Sequence, residues 1–266
     1  MDIKTLIEKD NYKFEDLCAI MEILRSENGC PWDKEQDHKS IRNNLLEETY
    51  EAVEGIDKAD SEILKEELGD VLLQVVFHAR IAQEEKEFDI DDVADGVCKK
   101  LILRHPHIFG DVTADTSEQV LKNWDEIKKT EKHQKSATDT LRSVSVAMPS
   151  LMRAGKLQSK AAKVGFTYPD TESALAKVDE EYGELREALL TKDHSKIEEE
   201  FGDLIFAVTN AARLSGVNAE EALFRTNEKF TERFEIMEKA VKEQGNEICE
   251  LNVNKLEEFW KKAKKH

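Results

Sequence analysis

Residues 47–51 read Glu-Glu-Thr-Tyr-Glu, and residues 66–70 read Glu-Glu-Leu-Gly-Asp. The pattern returns as Glu-Glu-Tyr-Gly-Glu at 180–184 and Glu-Glu-Phe-Gly-Asp at 199–203. Glu48, Glu51, Glu67 and Asp70 each recur at one constant offset, as Glu181, Glu184, Glu200 and Asp203. A chance acidic run does not keep its spacing across two helices and a turn. The chain therefore reads as a duplicated domain built around carboxylates.

Two carboxylates three apart share one face of a helix. A short turn after the first helix makes the second antiparallel, so Glu48 and Glu51 can meet Glu67 and Asp70 across the seam. Four carboxylates around one point repel prohibitively unless a cation joins them. Oxygen-only ligands suit Mg²⁺ or Mn²⁺. A lone Glu-x-x-Glu is usually a solvated face; two pairs, repeated in register, invert that reading. Gly69 and Gly202 cost about 1 kcal/mol each within a helix relative to alanine, which points to close helix approach or to room for a ligand beside the Asp.

Composition supports an all-α fold. Glycine and proline are scarce, while Leu, Ala, Glu and Lys abound, so helix is the default. Helices are predicted over 14–26, 39–59, 63–86, 89–103 and 116–131, and again over 149–162, 172–190, 197–214 and 219–243, with a last one ending at Trp260. Asp60-Ser61 and Asp89 are cap signals, and His105-Pro106 ends a helix. Residues 131–145 are polar and aperiodic and read as a linker. The expected organisation is two tandem helical bundles, residues 1–130 and 146–266, joined by 131–145. Tyr50, Phe77 and Phe206 fall at helical spacings and are assigned to the core.

The net charge of −18 argues against nucleic acid as a partner, which would need basic patches. The N-terminal stretch lacks a signal-peptide apolar core. No window approaches the ~20 apolar residues of a membrane span. The four cysteines are scattered without a Cys-x-x-Cys pair, so neither a zinc ribbon nor a disulfide framework is indicated. These features describe a reduced, cytoplasmic, soluble protein.

Weaker repeats accompany the box. Arg80 matches Arg213; Lys100 and Arg104 parallel Lys229 and Arg233; Trp124 parallels Trp260. Beside a bound cation Lys229 and Arg233 can grip phosphate oxygens, although an i,i+4 surface pair explains them equally. Trp260 can stack on a base or cap the bundle. His105 and His107 can ligate a metal, but a loop tied to Pro106 is the simpler account.

Taken together, the box, Cys30-Pro31-Trp32-Asp33, His38, Ser40, Arg104-His105-Pro106-His107, Lys163-Val164-Gly165-Phe166 and Asn227-Glu228-Lys229-Phe230-x-x-Arg233-Phe234 resemble the MazG family of the all-α nucleotide pyrophosphohydrolase superfamily. The resemblance covers nearly the whole chain. It implies four-helix-type bundles that form a homodimer, dependence on Mg²⁺, and hydrolysis of nucleoside triphosphates to monophosphate and pyrophosphate. Carried over by position, it gives Glu181, Glu184, Glu200 and Asp203 as metal ligands of the second domain. Glu48, Glu51, Glu67 and Asp70 become a possible first-domain site. Lys229, Arg233, Asn227 and Trp260 become substrate contacts, with Glu180 or Glu184 accepting the proton of the attacking water. Cys98 stands where the second domain has Asn227, so the second domain is expected to be the main catalytic one. Thr167-Tyr168-Pro169 departs from the family's Asp-Trp-Pro but keeps an aromatic. The alternatives are a relative with a narrower substrate, such as one dNTP or phosphoribosyl-ATP, and a non-catalytic helical scaffold with a structural metal.

Overall fold

The computed structural model describes residues 3–131 and 136–264. Every regular element among them is helical, and the chain divides into two compact units, residues 1–128 and 129–266. The first unit contains α1 (Ile3–Ile7), α2 (Phe14–Leu24), α3 (Pro31–Glu35), α4 (Arg42–Asp57), α5 (Ser61–Glu85), α6 (Ile90–Arg104), α7 (Pro106–Phe109) and α8 (Ser117–Glu131), whose last turn crosses the division. The second contains α9 (Ala137–Arg142), α10 (Ser150–Ala162), α11 (Thr171–Thr191), α12 (His194–Leu214), α13 (Ala219–Glu243), a 3₁₀ turn (Ile248–Glu250) and α14 (Val253–Ala263).

Each unit is organised on one antiparallel hairpin, α4–α5 and α11–α12, with α2 laid on α5 and α10 on α12. The turns are duplicates. Ala59 and Lys192 hold equivalent positions in them, and both adopt positive φ, 52° and 58°, although neither is glycine. Asp60 and Asp193 then cap the next helix, each accepting from two backbone N–H groups. An aspartate cap satisfies orphan donors at the helix start. Gly55 marks the tightest approach in the first hairpin: a Cβ there would lie 2.9 Å from the Leu64 backbone nitrogen.

Several expectations need correction. At Gly69 and Gly202 an added Cβ would meet nothing within 4 Å, so close helix approach does not explain them; open space does. Phe77 is buried in a cluster with Met21, Ile41, Val76 and Ile81, but Tyr50 and Phe206 are exposed at 58% and 45%. Their helices carry a second apolar face that the unit itself does not cover. Part of the stretch 131–145 is helical, Ala137–Arg142. Residues 132–135 lie outside the described residues, yet Ser136 caps α9 through a capping box and Val144 is buried. The apolar positions Leu141 and Val144 are too few to show a period, which is why the stretch reads as aperiodic. No helix among the described residues is long and apolar enough to cross a membrane.

Candidate metal and nucleotide site

The hairpins bring the predicted carboxylates together, three at a time. In the first unit Glu48 of α4 meets Glu67 and Asp70 of α5, with one oxygen from each inside a 4.8 Å cluster. In the second, Glu181 and Glu184 of α11 meet Glu200 of α12 within the same limit. Glu51 is not one of that triad, although it acts on both Glu48 and Glu67 through its charge and through side-chain hydrogen bonding. Asp203 stands outside the second and lines the neighbouring cavity instead.

Crowding raises the proton affinity of these groups. Partial desolvation, then the charges of Asp70 and Glu51, holds the Glu48 carboxyl above its ordinary value. Glu67 is raised by desolvation, then by Glu51 and Asp70. Glu184 is raised by desolvation and then by Glu181. Like charges at close range disfavour joint ionisation. A hard divalent cation would remove that penalty, and the residues fit one: all donors are carboxylate oxygens, and Glu200 Oε2 is buried with no hydrogen-bond partner.

Lys177 distinguishes the two units. One turn before Glu181 on α11, its ammonium lies 2.8 Å from both Glu180 and Glu181. Those hydrogen bonds push the Lys177 pKa well up. The corresponding position of the first unit is Asn44, which brings no charge. Sequence reading missed Lys177; its i,i+3 and i,i+4 spacing to the two glutamates was the available signal.

Beside the second triad lies a cavity of about 640 Å³, bounded by α10, α12 and the Gly165–Tyr168 loop. Lys177, Glu181 and Asp203 line it together with Leu157, Gln158, Phe166, Tyr168, Phe206 and Asn210. Gln158 and Asn210 were also missed, since a single amide on a helix carries no spacing signal.

Asn227, Lys229 and Arg233 lie on α13, where Asn227 and Lys229 are exposed and Arg233 is half-buried. No ion pair joins Lys229 or Arg233 to the carboxylates among the described residues. Trp260 belongs to the α13–α14 packing: its ring lies 5.1 Å from Phe230, against a cluster of Met237, Val241 and Phe259. In the first unit Arg104 is buried, with its guanidinium 5.3 Å from the Trp124 ring. His105 packs edge-on against Trp124, and neither His105 nor His107 joins a metal-like cluster among the described residues.

The MazG nucleotide pyrophosphohydrolase domain matches residues 36–109 and 170–237, one match in each unit. The chain is 45% identical over 251 residues to the nucleoside triphosphate pyrophosphohydrolase/pyrophosphatase MazG of Thermotoga maritima, covering 94% of this chain and 95% of that one. It is 43% identical over 254 residues to the nucleoside triphosphate pyrophosphohydrolase of Escherichia coli K12, covering 94% and 96%. It is equally similar to an uncharacterised Bacillus subtilis protein, YabN, of which it spans 52%. The chain belongs to the MazG nucleotide pyrophosphohydrolase family.

Proposed function

We propose that this chain hydrolyses nucleoside triphosphates, ribo and deoxyribo alike, to the monophosphate and pyrophosphate, with Mg²⁺ or Mn²⁺ as cofactor. The observation that carries the reading is the Glu181–Glu184–Glu200 triad, whose Glu181 lines a cavity together with Asp203. The names of the Thermotoga and Escherichia relatives agree with it. We assign the reaction to the cytoplasm, where its substrates are found.

Glu181, Glu184, Glu200 and Asp203 would hold the cation. Bound there, it supplies positive charge for the triphosphate and polarises the phosphate oxygens. Lys229 and Arg233 bind the outer phosphates, and Asn227, just before Lys229 on the same helix, offers an amide that donates and accepts. Glu184 takes the proton of the water that attacks the α-phosphorus. Glu180 serves less well because Lys177 holds it. Trp260 completes the packing that positions α13.

The working form is a homodimer. Tyr182 and Leu189 on α11, and Phe201, Ile205 and Val208 on α12, are all exposed, an apolar area that monomers rarely leave to water. A second copy offers the matching face.

The test is product analysis. ATP should give AMP and pyrophosphate on anion-exchange chromatography. EDTA should abolish turnover, and Mg²⁺ or Mn²⁺ should restore it. ADP and orthophosphate as the main products would overturn the reading.

A further inference from the structure

We infer that the cavity beside the second triad receives the nucleobase, and that Gln158 and Asn210 are the side chains that read the base edge. The inference rests on the proposed triphosphate reaction and deepens it.

The cavity is polar at one end and apolar over most of its wall. Glu181 and Asp203 mark the end where the phosphates meet the cation; Leu157, Phe166, Tyr168 and Phe206 supply flat apolar surface. Its volume, about 640 Å³, falls within the ordinary range for ligand sites. A planar heterocycle attached to the α-phosphate by a sugar suits such a shape.

Two amides stand in this wall, and each has one end committed. The Gln158 Nε2 donates to the Phe206 carbonyl at 2.8 Å. That carbonyl can only accept, which fixes the orientation of the amide. The Gln158 Oε1 is then left buried with no partner, on a residue only 6% exposed. A buried acceptor without a donor costs free energy, and native proteins rarely leave one. Asn210 is fixed the opposite way. Its Oδ1 accepts from Arg213 at 3.1 Å and 2.8 Å, and Arg213 also donates to Thr167 at 3.0 Å. A guanidinium only donates, so Nδ2 is the end of Asn210 without a bond among the described residues.

The wall thus offers one acceptor and one donor. The Watson–Crick edge of every common base carries an N–H donor beside an acceptor. Adenine and cytosine present the pair in one order and guanine and uracil in the other, so Gln158 and Asn210 reward the presence of a base and meet both classes when the base turns over in the cavity.

The experiment compares kcat/KM for the four common NTPs with that for ribose 5-triphosphate, which keeps the sugar and the cleaved bond but has no base. Gln158→Leu should lower kcat/KM for the NTPs by about tenfold or more, as expected for a lost hydrogen bond to a buried group, and leave ribose 5-triphosphate unchanged. Asn210→Asp keeps the acceptor for Arg213 and removes the donor; it should act in the same selective way. Equal losses on NTPs and on ribose 5-triphosphate in both variants, or no loss in either, would overturn the base site while the reaction stands. A wild type that releases no pyrophosphate from any NTP would instead overturn the reaction itself.

Discussion

Phe77 and Asn210 occupy the same register of the two repeats, and they do opposite things. Phe77 is 4% exposed and closes the first unit's core, with Trp32 edge-on at 6.5 Å. Asn210 stands in the wall of the second unit's cavity. The carboxylates around them have barely changed. Duplication has kept the charge cluster in both halves, while one residue in the helix behind it separates a filled core from an opened site. Gln74 and Ala207 show the same trade one turn earlier: the larger side chain is in the first unit, and the alanine lines the cavity.

The largest effect should follow from breaking that contrast at Phe77. Phe77→Ala removes a buried aromatic and should cost the first unit about 3–5 kcal/mol, read as a lower melting temperature for one of two calorimetric transitions. Asn210→Phe carries the first unit's solution into the second. It should leave melting nearly unchanged while sharply raising KM for NTPs. If Phe77→Ala left both transitions in place, the core assignment would be wrong.

The next effect concerns the clusters themselves. Glu200→Ala should lower kcat/KM at least ~100-fold, equivalent to about 2.7 kcal/mol of transition-state stabilisation. Asp203→Ala should act in the same direction. Glu67→Ala and Asp70→Ala should cost far less activity, because the first unit has Phe77 in its core where the second has Asn210 in its cavity wall, and Cys98 where the second has Asn227. First-unit variants that stay folded dimers and lose as much activity would erase the proposed division of labour.

Which features the sequence disclosed follows from how each is encoded. Glu48, Glu67, Glu181 and Glu200 announce themselves by spacing, and Asp60 and Asp89 announce themselves as caps. The hairpins and the carboxylate clusters were therefore legible in the sequence. The exclusion of Asp203 from the tight cluster was not, because it depends on how far the side chain reaches across the seam. Tyr50 and Phe206 mislead the helical period, since α4 and α12 each carry two apolar faces and periodicity does not say which one the same chain covers. Gln158 becomes visible only through the placement of its Nε2 on the Phe206 carbonyl and its Oε1 on nothing.

A smaller effect separates the two hairpins at Gly55, whose counterpart in the second repeat is Ala188. In the first hairpin a methyl at 55 would press on the Leu64 backbone, 2.9 Å from its nitrogen and 3.0 Å from its Cα. Overpacking costs about 1–3 kcal/mol, and the helix gains back about 1 kcal/mol from replacing glycine. Gly55→Ala should therefore be a net loss of about 1 kcal/mol. Ala188→Gly should also destabilise, since Ala188 is buried and fits where it is. A stabilised Gly55→Ala variant would show that the first hairpin is no tighter than the second.

The smallest effect is electrostatic and turns on Lys177 against Asn44. Without metal, Glu48 and Glu67 hold protons more tightly folded than unfolded. The stability this provides is fully present below their ordinary value of 4.5 and is lost as pH rises through the folded value. Glu184 imposes the same slope on the second unit, but there the Lys177 ammonium, paired with Glu180 and Glu181, opposes the rise. In EDTA the first unit should thus lose melting temperature more steeply as pH rises above 4.5, and saturating Mg²⁺ should flatten both slopes. Asn44→Lys would bring the second unit's cation to the first cluster, with a gain at neutral pH of under about 1 kcal/mol, as for other partly exposed pairs. The transition displaced by Phe77→Ala identifies the first unit in these scans. If that transition fell no faster with pH than the other, or if Asn44→Lys left its slope untouched, Lys177 would not be what separates the two acidic sites.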